Sequence, residues 1–426
     1  MDLIIFVLFF ILLIVIGCPI AFAMVLSSLT YIYLVGNIDY IIIPQRLSGG
    51  LDSFPLLAIP LFLLAGILMN EFGVTERIFA FALAFTGHIT GGLGHVNVLA
   101  SMIFAGMSGS AIADAGGLGA IEMEAMNKAG YRKAFSAAIT ASSSTIGPII
   151  PPSISMVIFG VIAGVSISKL FAGGILPGVL MGLLLMAVIY FRAKSGKEKC
   201  PTTSKSSFKD VLRAFKISLL PLLAPGIIVG GILSGIFTPT EAGGVAVVYT
   251  LVLGLFYREI SLSKLISALE KTFFATANVL FLIAGGSVFA WLVALAKIPE
   301  HFGDLLLHLT SNKYLILLLI NVFLLIQGCF MSATAGLIIV SPMLLNIASK
   351  IGIDPIHLGV FLILNLMIGI VTPPVGMVLF TVSEVAKVKV EEIIKAIIPF
   401  YIPLLAALFI VTYFPQVVLF LPSLLK

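Results

Sequence analysis

Two stretches of the chain carry oxygen donors at spacings that suit a small monovalent cation. One joins Ser108-Gly109-Ser110 to Gly147-Pro148-Ile149-Ile150-Pro151-Pro152; the other joins Met331-Ser332-Ala333-Thr334 to Gly369-Ile370-Val371-Thr372-Pro373-Pro374. Proline donates no backbone hydrogen bond and clashes with the preceding turn, and the residue before it is pushed out of helical dihedrals. The carbonyls around Gly147–Ile150 and Gly369–Thr372 are therefore expected to lack intrahelical partners. Carbonyls at the end of a half-helix carry partial negative charge, and Ser and Thr hydroxyls add neutral oxygens. Such a donor set suits Na+, and two similar sites are expected. The half-helices that resume at Ser153 and Val375 would turn partly positive N-termini toward an anionic group. The plainer alternative is that these are only kink and packing sites, since Gly and other small residues are frequent in membrane helices.

The two stretches match each other at a constant spacing. Gly106 and Gly328 lie 222 positions apart, and at the same spacing Ser110, Ala111, Ala113, Lys128, Gly130, Ile146, Gly147, Pro151 and Pro152 fall on Ser332, Ala333, Ala335, Lys350, Gly352, Ile368, Gly369, Pro373 and Pro374. Broken apolar segments at corresponding places in two halves point to a binding site at the repeat interface.

Other polar residues are weaker leads. Asp114 follows Ser110 in an apolar, glycine-rich run and has Gly336 as its counterpart. A charge in mid-membrane costs on the order of 3 kcal/mol and usually faces a cavity. Asp114 therefore reads either as tuning the cation or meeting the substrate, or as capping the helix that begins near Ser110. Glu122 and Glu124 are expected in the solvated zone toward Lys128, and Glu241 as a helix-start carboxylate. Arg46 reads as an anion or partner contact. His88 and His95, like His301 and His308, have no Cys or carboxylate partners at metal-ligand spacing and read as interfacial. Cys18, Cys200 and Cys329 form neither a disulfide framework nor a metal motif.

The elements that hold these residues must be membrane helices. The chain has 426 residues, 60% hydrophobic and 10% charged, with mean hydropathy +1.21; a soluble domain carries roughly 25% charged residues. Apolar runs such as 2–16, 178–191, 217–236, 242–256, 314–326 and 397–414 approach the length that spans a hydrocarbon core of ~30 Å, and about a dozen segments are expected. Period-two alternation is absent, which argues against a β-barrel. The first run lacks a basic flank and a cleavage site, so it reads as a retained helix rather than a signal peptide.

The expected fold is an all-α polytopic membrane protein of two inverted structural repeats, 1–195 and 214–426, joined by a basic linker at 196–213. Arg192, Lys194, Lys197, Lys199, Lys205, Lys209, Arg213 and Lys216 surround only Glu198 and Asp210, which puts the linker in the cytoplasm by the positive-inside rule. The N-terminus, without Lys or Arg, is free to lie outside. Hydropathy leaves the parity of the crossings open. Segments 44–70, with Pro55 and Pro60, and 266–297, with Gly285-Gly286, read as re-entrant hairpins or as kinked helices. The broken helices fall at about 95–165 and 317–385, and 257–272 and 383–396 read as interfacial helices.

Several function classes fall away. No G-x-x-x-x-G-K-[ST] occurs, so the chain does not itself hydrolyse ATP, and neither Gly92-Leu93-Gly94 nor Gly117-Leu118-Gly119 completes G-x-G-x-x-G. Gly106-Met107-Ser108-Gly109 has the form used by rhomboid-type intramembrane proteases, but no mid-span His is available as base, and the repeat replaces Ser108 with Phe330. The net charge of +5 does not suggest nucleic-acid binding.

GMSGSAIADAGGLGAIEMEAM at 106–126, IGPIIPPS at 146–153, FTPTEAG at 237–243 and IGIVTPPVG at 368–376 resemble the large membrane subunit of TRAP (tripartite ATP-independent periplasmic) transporters, over essentially the whole chain. The resemblance implies a non-enzymatic, Na+-driven importer of organic anions, typically C4-dicarboxylates or sialic acids, in the bacterial inner membrane. It implies an elevator motion of a transport domain against a scaffold. It also implies two partners, a small four-helix membrane subunit and a periplasmic substrate-binding protein, beside the membrane lipid. Carried onto this chain, the Na+ ligands fall on Ser108, Ser110, Gly147, Ile150, Pro151, Met331, Ser332, Gly369, Thr372 and Pro373, with the substrate near Asp114, Ser153 and Thr334; no cofactor other than the coupling ion is implied. The alternative is a stand-alone Na+/anion symporter or exchanger of the same superfamily.

Overall fold

The computed structural model describes residues 2–205, 207–310 and 312–425, and all regular structure among them is helical. The first half holds α1 (Asp2–Val15), α2 (Ile20–Val35), α3 (Ile42–Leu51), a 3-10 turn (Phe54–Leu57), α4 (Ala58–Glu71), α5 (Val74–Thr86), α6 (Gly92–Ser108), α7 (Ala111–Gly116), α8 (Leu118–Lys128), α9 (Lys133–Ser144), α10 (Ile154–Ala163) and α11 (Ile167–Lys194). The second holds α12 (Phe208–Leu233), α13 (Pro239–Phe256), α14 (Leu262–Leu295), α15 (Ile298–Leu309), α16 (Lys313–Gly328), α17 (Ala333–Lys350), α18 (Pro355–Gly369), α19 (Met377–Ala386), α20 (Val390–Tyr413) and α21 (Gln416–Ser423). Among the described residues seven helices are long and apolar enough to cross a membrane, which makes the chain a multi-pass membrane protein.

Helix starts are set locally. Ser110 Oγ accepts from Ala113 N at 3.4 Å and, at the matched position, Ser332 Oγ accepts from Ala335 N at 3.3 Å. Each satisfies one of the backbone donors that a helix start leaves without an intrahelical partner. Thr238 and Glu241 form a reciprocal capping box at α13, so Glu241 is a helix-start carboxylate. Ser207 and Asp210 do the same at α12. The motif spacing recurs in the helix bounds: α6, α9 and α10 begin at 92, 133 and 154, and α16, α18 and α19 at 313, 355 and 377.

The long elements depart from the sequence reading in three places. Segment 44–70 is interrupted, with α3 ending before the 3-10 turn that contains Pro55, but 266–297 is not: α14 winds through it without a break. Gly285 and Gly286 are packing residues there. A Cβ on Gly285 would lie 3.0 Å from the Ala21 carbonyl oxygen, so the glycines let α2 and α17 approach rather than end the helix. Of the charged stretch 257–272, residues from Leu262 on form the first turns of α14, and 383–396 is divided between α19 and α20; neither is a separate interfacial helix. The linker is also shorter than expected, because α12 takes up residues from Phe208. It lies against the helix ends: Thr203 N donates to Gly87 O at 3.0 Å, Tyr131 Oη to Pro201 O at 3.2 Å, and Glu198 pairs with Arg132 at 2.6 Å.

The ends of α16 and α18 cross with backbone against backbone. A Cβ on Gly369 would lie 2.5 Å from Gly328 Cα, and one on Gly328 would lie 2.9 Å from Gly369 Cα. Gly369→Ala should therefore lower the thermal unfolding midpoint of the detergent-solubilised protein, at the roughly 1–3 kcal/mol typical of overpacking. Gly226→Ala, where an added Cβ meets nothing within 4 Å, should leave the midpoint unchanged or raise it. Equal midpoints for the two variants would refute this account of the crossing.

Candidate functional site

The two breaks of the first half abut. Gly109 takes a left-handed conformation, φ 59°, between α6 and the cap Ser110, and a Cβ on it would lie 2.7 Å from the Pro152 carbonyl oxygen. A Cβ on Gly147 would lie 3.5 Å from the Ser110 carbonyl oxygen. The fold thus brings Ser108, Ser110, Gly147, Ile150 and Pro151 into one neighbourhood. Ser108 Oγ is buried there without a hydrogen-bond partner. Among the described residues no donor reaches the carbonyls of Gly147 and Ile150, whereas Pro148 O accepts from Ser153 Oγ at 2.5 Å.

The second half repeats the arrangement with more of its carbonyls engaged. Val375 N donates to Cys329 O at 3.3 Å and ties the breaks together. Gly369 O accepts from Thr372 N at 2.9 Å, Ile370 O from Val378 N at 3.1 Å, and Val371 O from Tyr401 Oη at 2.8 Å. The expectation of bare carbonyls over Gly369–Thr372 is corrected. Gly376, left-handed at φ 60°, turns the chain back so that α19 and α20 supply donors, although each carbonyl keeps a second lone pair. Met331 and Thr372 also lie at the break. The Thr372 hydroxyl donates to Ile368 O at 2.7 Å. Gln327, missed in the sequence because it precedes the break, donates to Met331 Sδ at 3.3 Å and leaves its own Oε1 buried and unpartnered. Among the described residues, the unpartnered buried oxygens include Ser108 Oγ beside the break of the first half and Gln327 Oε1 beside that of the second, which fits a cation-binding role. Both X-Pro bonds at the matched positions, Pro151-Pro152 and Pro373-Pro374, are cis.

A cavity of about 440 Å³ lies between the two sets. Ser110, Ser155, Ser332 and Thr334 line it, with Asn70 of α4 and Asn278 of α14. Ile154, Ala333 and Met377 bring the N-terminal ends of α10, α17 and α19 to its wall, and such ends carry partial positive charge. No Asp, Glu, Lys or Arg is among the described residues of the wall. Such an arrangement can hold a small anion by dipoles and neutral donors.

Of the three residues expected near the substrate, Thr334 lines this cavity, and Ser153 and Asp114 do not reach it. Ser153 is fully buried, donating to Pro148 O and accepting from Met156 N at 3.2 Å; a capping side chain faces its own helix end, and Ser155 lines the cavity instead. Asp114 neither caps a helix nor meets the cavity. It is 1% exposed and accepts from Ser101 Oγ at 3.0 Å. Glu122, expected in solvent, is buried beside it, and neither of its oxygens has a partner in hydrogen-bond geometry although Asn97 is adjacent. Gly117 separates α7 from α8 and sets the rotation of the latter. Glu124, about 200° further round the helix, reaches solvent and pairs with Lys128 at 2.6 Å. Asn97 Nδ2 donates to Thr140 Oγ1 at 2.8 Å and Ser143 Oγ to Asn97 Oδ1 at 2.6 Å, completing a buried polar cluster. His95, read as interfacial, is buried with Nε2 2.8 Å from Thr90 O.

A family model described as tripartite ATP-independent periplasmic transporter, DctM component, matches residues 6–417. The chain belongs to that family. It is 44% identical over 409 residues to the sialic acid TRAP transporter large permease protein SiaM of Vibrio cholerae, a match covering 96% of this chain and 95% of that protein. It is 42% identical over 373 residues to the C4-dicarboxylate TRAP transporter large permease protein DctM of Pseudomonas aeruginosa, covering 87% of each. Among solved structures, the YdaH transporter of Alcanivorax borkumensis is similar in fold, with a TM-score of 0.64 over 86% of each chain at 14% identity. Membership makes the chain a TRAP large permease, and implies association with a periplasmic binding protein and a small membrane subunit.

In this permease the Ser101 hydroxyl is the one described donor to Asp114. Ser101→Ala should cost roughly 1–3 kcal/mol, the usual penalty for orphaning a buried acceptor. The same change should cost much less in an Asp114→Asn background. A double-mutant cycle on thermal unfolding that gave purely additive effects would contradict the pairing.

Proposed function

We propose that this permease imports an organic acid anion, of the sialic acid or C4-dicarboxylate type, across the bacterial inner membrane together with Na+. The observation that carries the reading is the cavity between two cation-suited breaks, walled by three helix N-termini and free of charged side chains among its described residues. Its relatives named for sialic acid and C4-dicarboxylates support the substrate class. One Na+ is held by Ser108, Ser110 and carbonyls from Gly147, Ile150 and Pro151. A second is held by Met331, Ser332 and carbonyls from Gly369, Thr372 and Pro373, with Gln327 beside them. The anion lies between them against Thr334, Ser155, Asn70 and Asn278.

The halves are inverted repeats, 1–195 and 214–426 about the linker, and the linker is cytoplasmic. The broken helices move as a transport domain against a scaffold that includes α4 and α14. The periplasmic binding protein delivers the substrate, and the small membrane subunit joins the scaffold. The driving force is adequate: each net positive charge crossing ~100 mV contributes about 2.3 kcal/mol, and a tenfold Na+ gradient adds roughly 1.4 kcal/mol per ion. Two Na+ with a monoanion thus support accumulation over several powers of ten.

Reconstituted with both partners in liposomes, wild type should accumulate labelled N-acetylneuraminate or succinate only with an inward Na+ gradient. Ser110→Leu and Ser332→Leu should each abolish that uptake, while the lost helix cap lowers stability by only about 1 kcal/mol, so that the variants still fold. Unaltered Na+ dependence in both variants would count against the sites. Uptake by the chain alone would favour a stand-alone symporter.

A further inference from the structure

A second cavity, of about 380 Å³, lies beside the first and is lined by Arg46, Ser53, Gly286, Ser287, Trp291 and Ile338 among others. Its place follows from helix order. α11 runs from Ile167 to Lys194 and ends at the linker, so the end of α10 just before Ile167 lies at the face remote from the linker. α12 leaves the linker at Phe208, α13 returns, and α14 sets out again, so the later residues of α14 approach that remote face as well. From the first cavity to the second, the lining advances along α10 from Ser155 to Ile162, along α14 from Asn278 to Ser287, and along α17 from Thr334 to Pro342. At 1.5 Å per residue these steps are about 10–14 Å, in one direction on all three helices. Gly286 of α14 and Ile338 of α17 meet in the wall of the second cavity.

The second cavity differs from the first in having a cation on its wall. The Arg46 guanidinium carbon sits 5.2 Å from the centre of the Trp291 ring. Among the described residues Arg46 joins no ion pair. The indole holds the guanidinium plane, and its donors are left for a planar, bidentate acceptor, for which carboxylate is the natural fit. Gly49, where an added Cβ would meet nothing within 4 Å, leaves that part of the wall open.

We infer that the Arg46–Trp291 cavity is a second anion-binding site, which takes the carboxylate of the transported organic acid at the face remote from the linker. The inference rests on the organic-anion reading above. It adds a station displaced along the helices that wall the main cavity, where Arg46 pairs with the carboxylate before the anion reaches the uncharged site.

The chain has one tryptophan, Trp291, so the site reports on itself. Purified full-length chain in detergent is titrated with N-acetylneuraminate, with succinate and with the uncharged sugar N-acetylmannosamine, while tryptophan fluorescence and thermal unfolding are followed. One of the two anions should give a saturable fluorescence change that the uncharged sugar does not. Arg46→Gln should weaken it about tenfold, and Arg46→Lys, which keeps the charge, should weaken it less. If the anion raises the unfolding midpoint but leaves Trp291 unmoved, or if Arg46→Gln titrates like wild type, the second site is refuted and the main cavity stands. If neither anion changes fluorescence or midpoint, the substrate class is refuted, and the second site with it.

Discussion

A helix that stops inside an apolar layer leaves end groups that must find partners there, and this constraint organises the whole molecule. At Ser110 and Ser332 the answer is the same: a serine hydroxyl caps the helix that follows, at nearly the same distance. The glycines beside them allow one break to rest on another, Gly109 on Pro152 and Gly328 on Gly369. With the ends tied locally and the breaks stacked, helix termini from both halves line one cavity.

The halves nevertheless use different chemistry behind the same backbone plan. In the first, Asn97, Ser101, Asp114, Glu122, Thr140 and Ser143 make a buried polar cluster. At the matched positions the second half has Leu319, Phe323, Gly336, Leu344, Leu362 and Asn365. Only the asparagine is polar, and it donates to Asn321 Oδ1 at 2.8 Å. One half is thus held together by polar pairing where the other is held by apolar contact. Substitutions at matched positions should not be expected to act alike.

The sequence disclosed most where a residue type forces a backbone event. The Pro151-Pro152 and Pro373-Pro374 pairs and Ser108-Gly109-Ser110 announced breaks because no helix runs through them at low cost. It misled where a residue type permits more than one event. Gly285-Gly286 could end a helix or admit a neighbour, and only the presence of α2 and α17 beside α14 decides for packing. Glu122 was misplaced because the rotation of α8 depends on the turn at Gly117, which sequence periodicity does not report. Asn70 and Asn278 fell in segments read as interrupted, but their place on a cavity was not legible, for a different reason. They reach the cavity from α4 and α14, and that approach is a tertiary fact.

The cavity's composition bears on why anion and cation should travel together. A carboxylate moved from water into an apolar site is costly unless paired, and no charged side chain is found among the described residues of the wall. Helix N-termini and neutral amides offset only part of that cost, since each terminus carries about half an elementary charge. On the proposed reading the remainder comes from the sodium ions at the two flanking breaks, so the site accepts its anion well only when they are present. A fixed arginine in the main cavity would bind the anion without sodium and weaken the coupling. Arg46 lies instead on the neighbouring cavity, about 10–14 Å along the helices, where it could attract the anion without relieving the main site of its need for sodium.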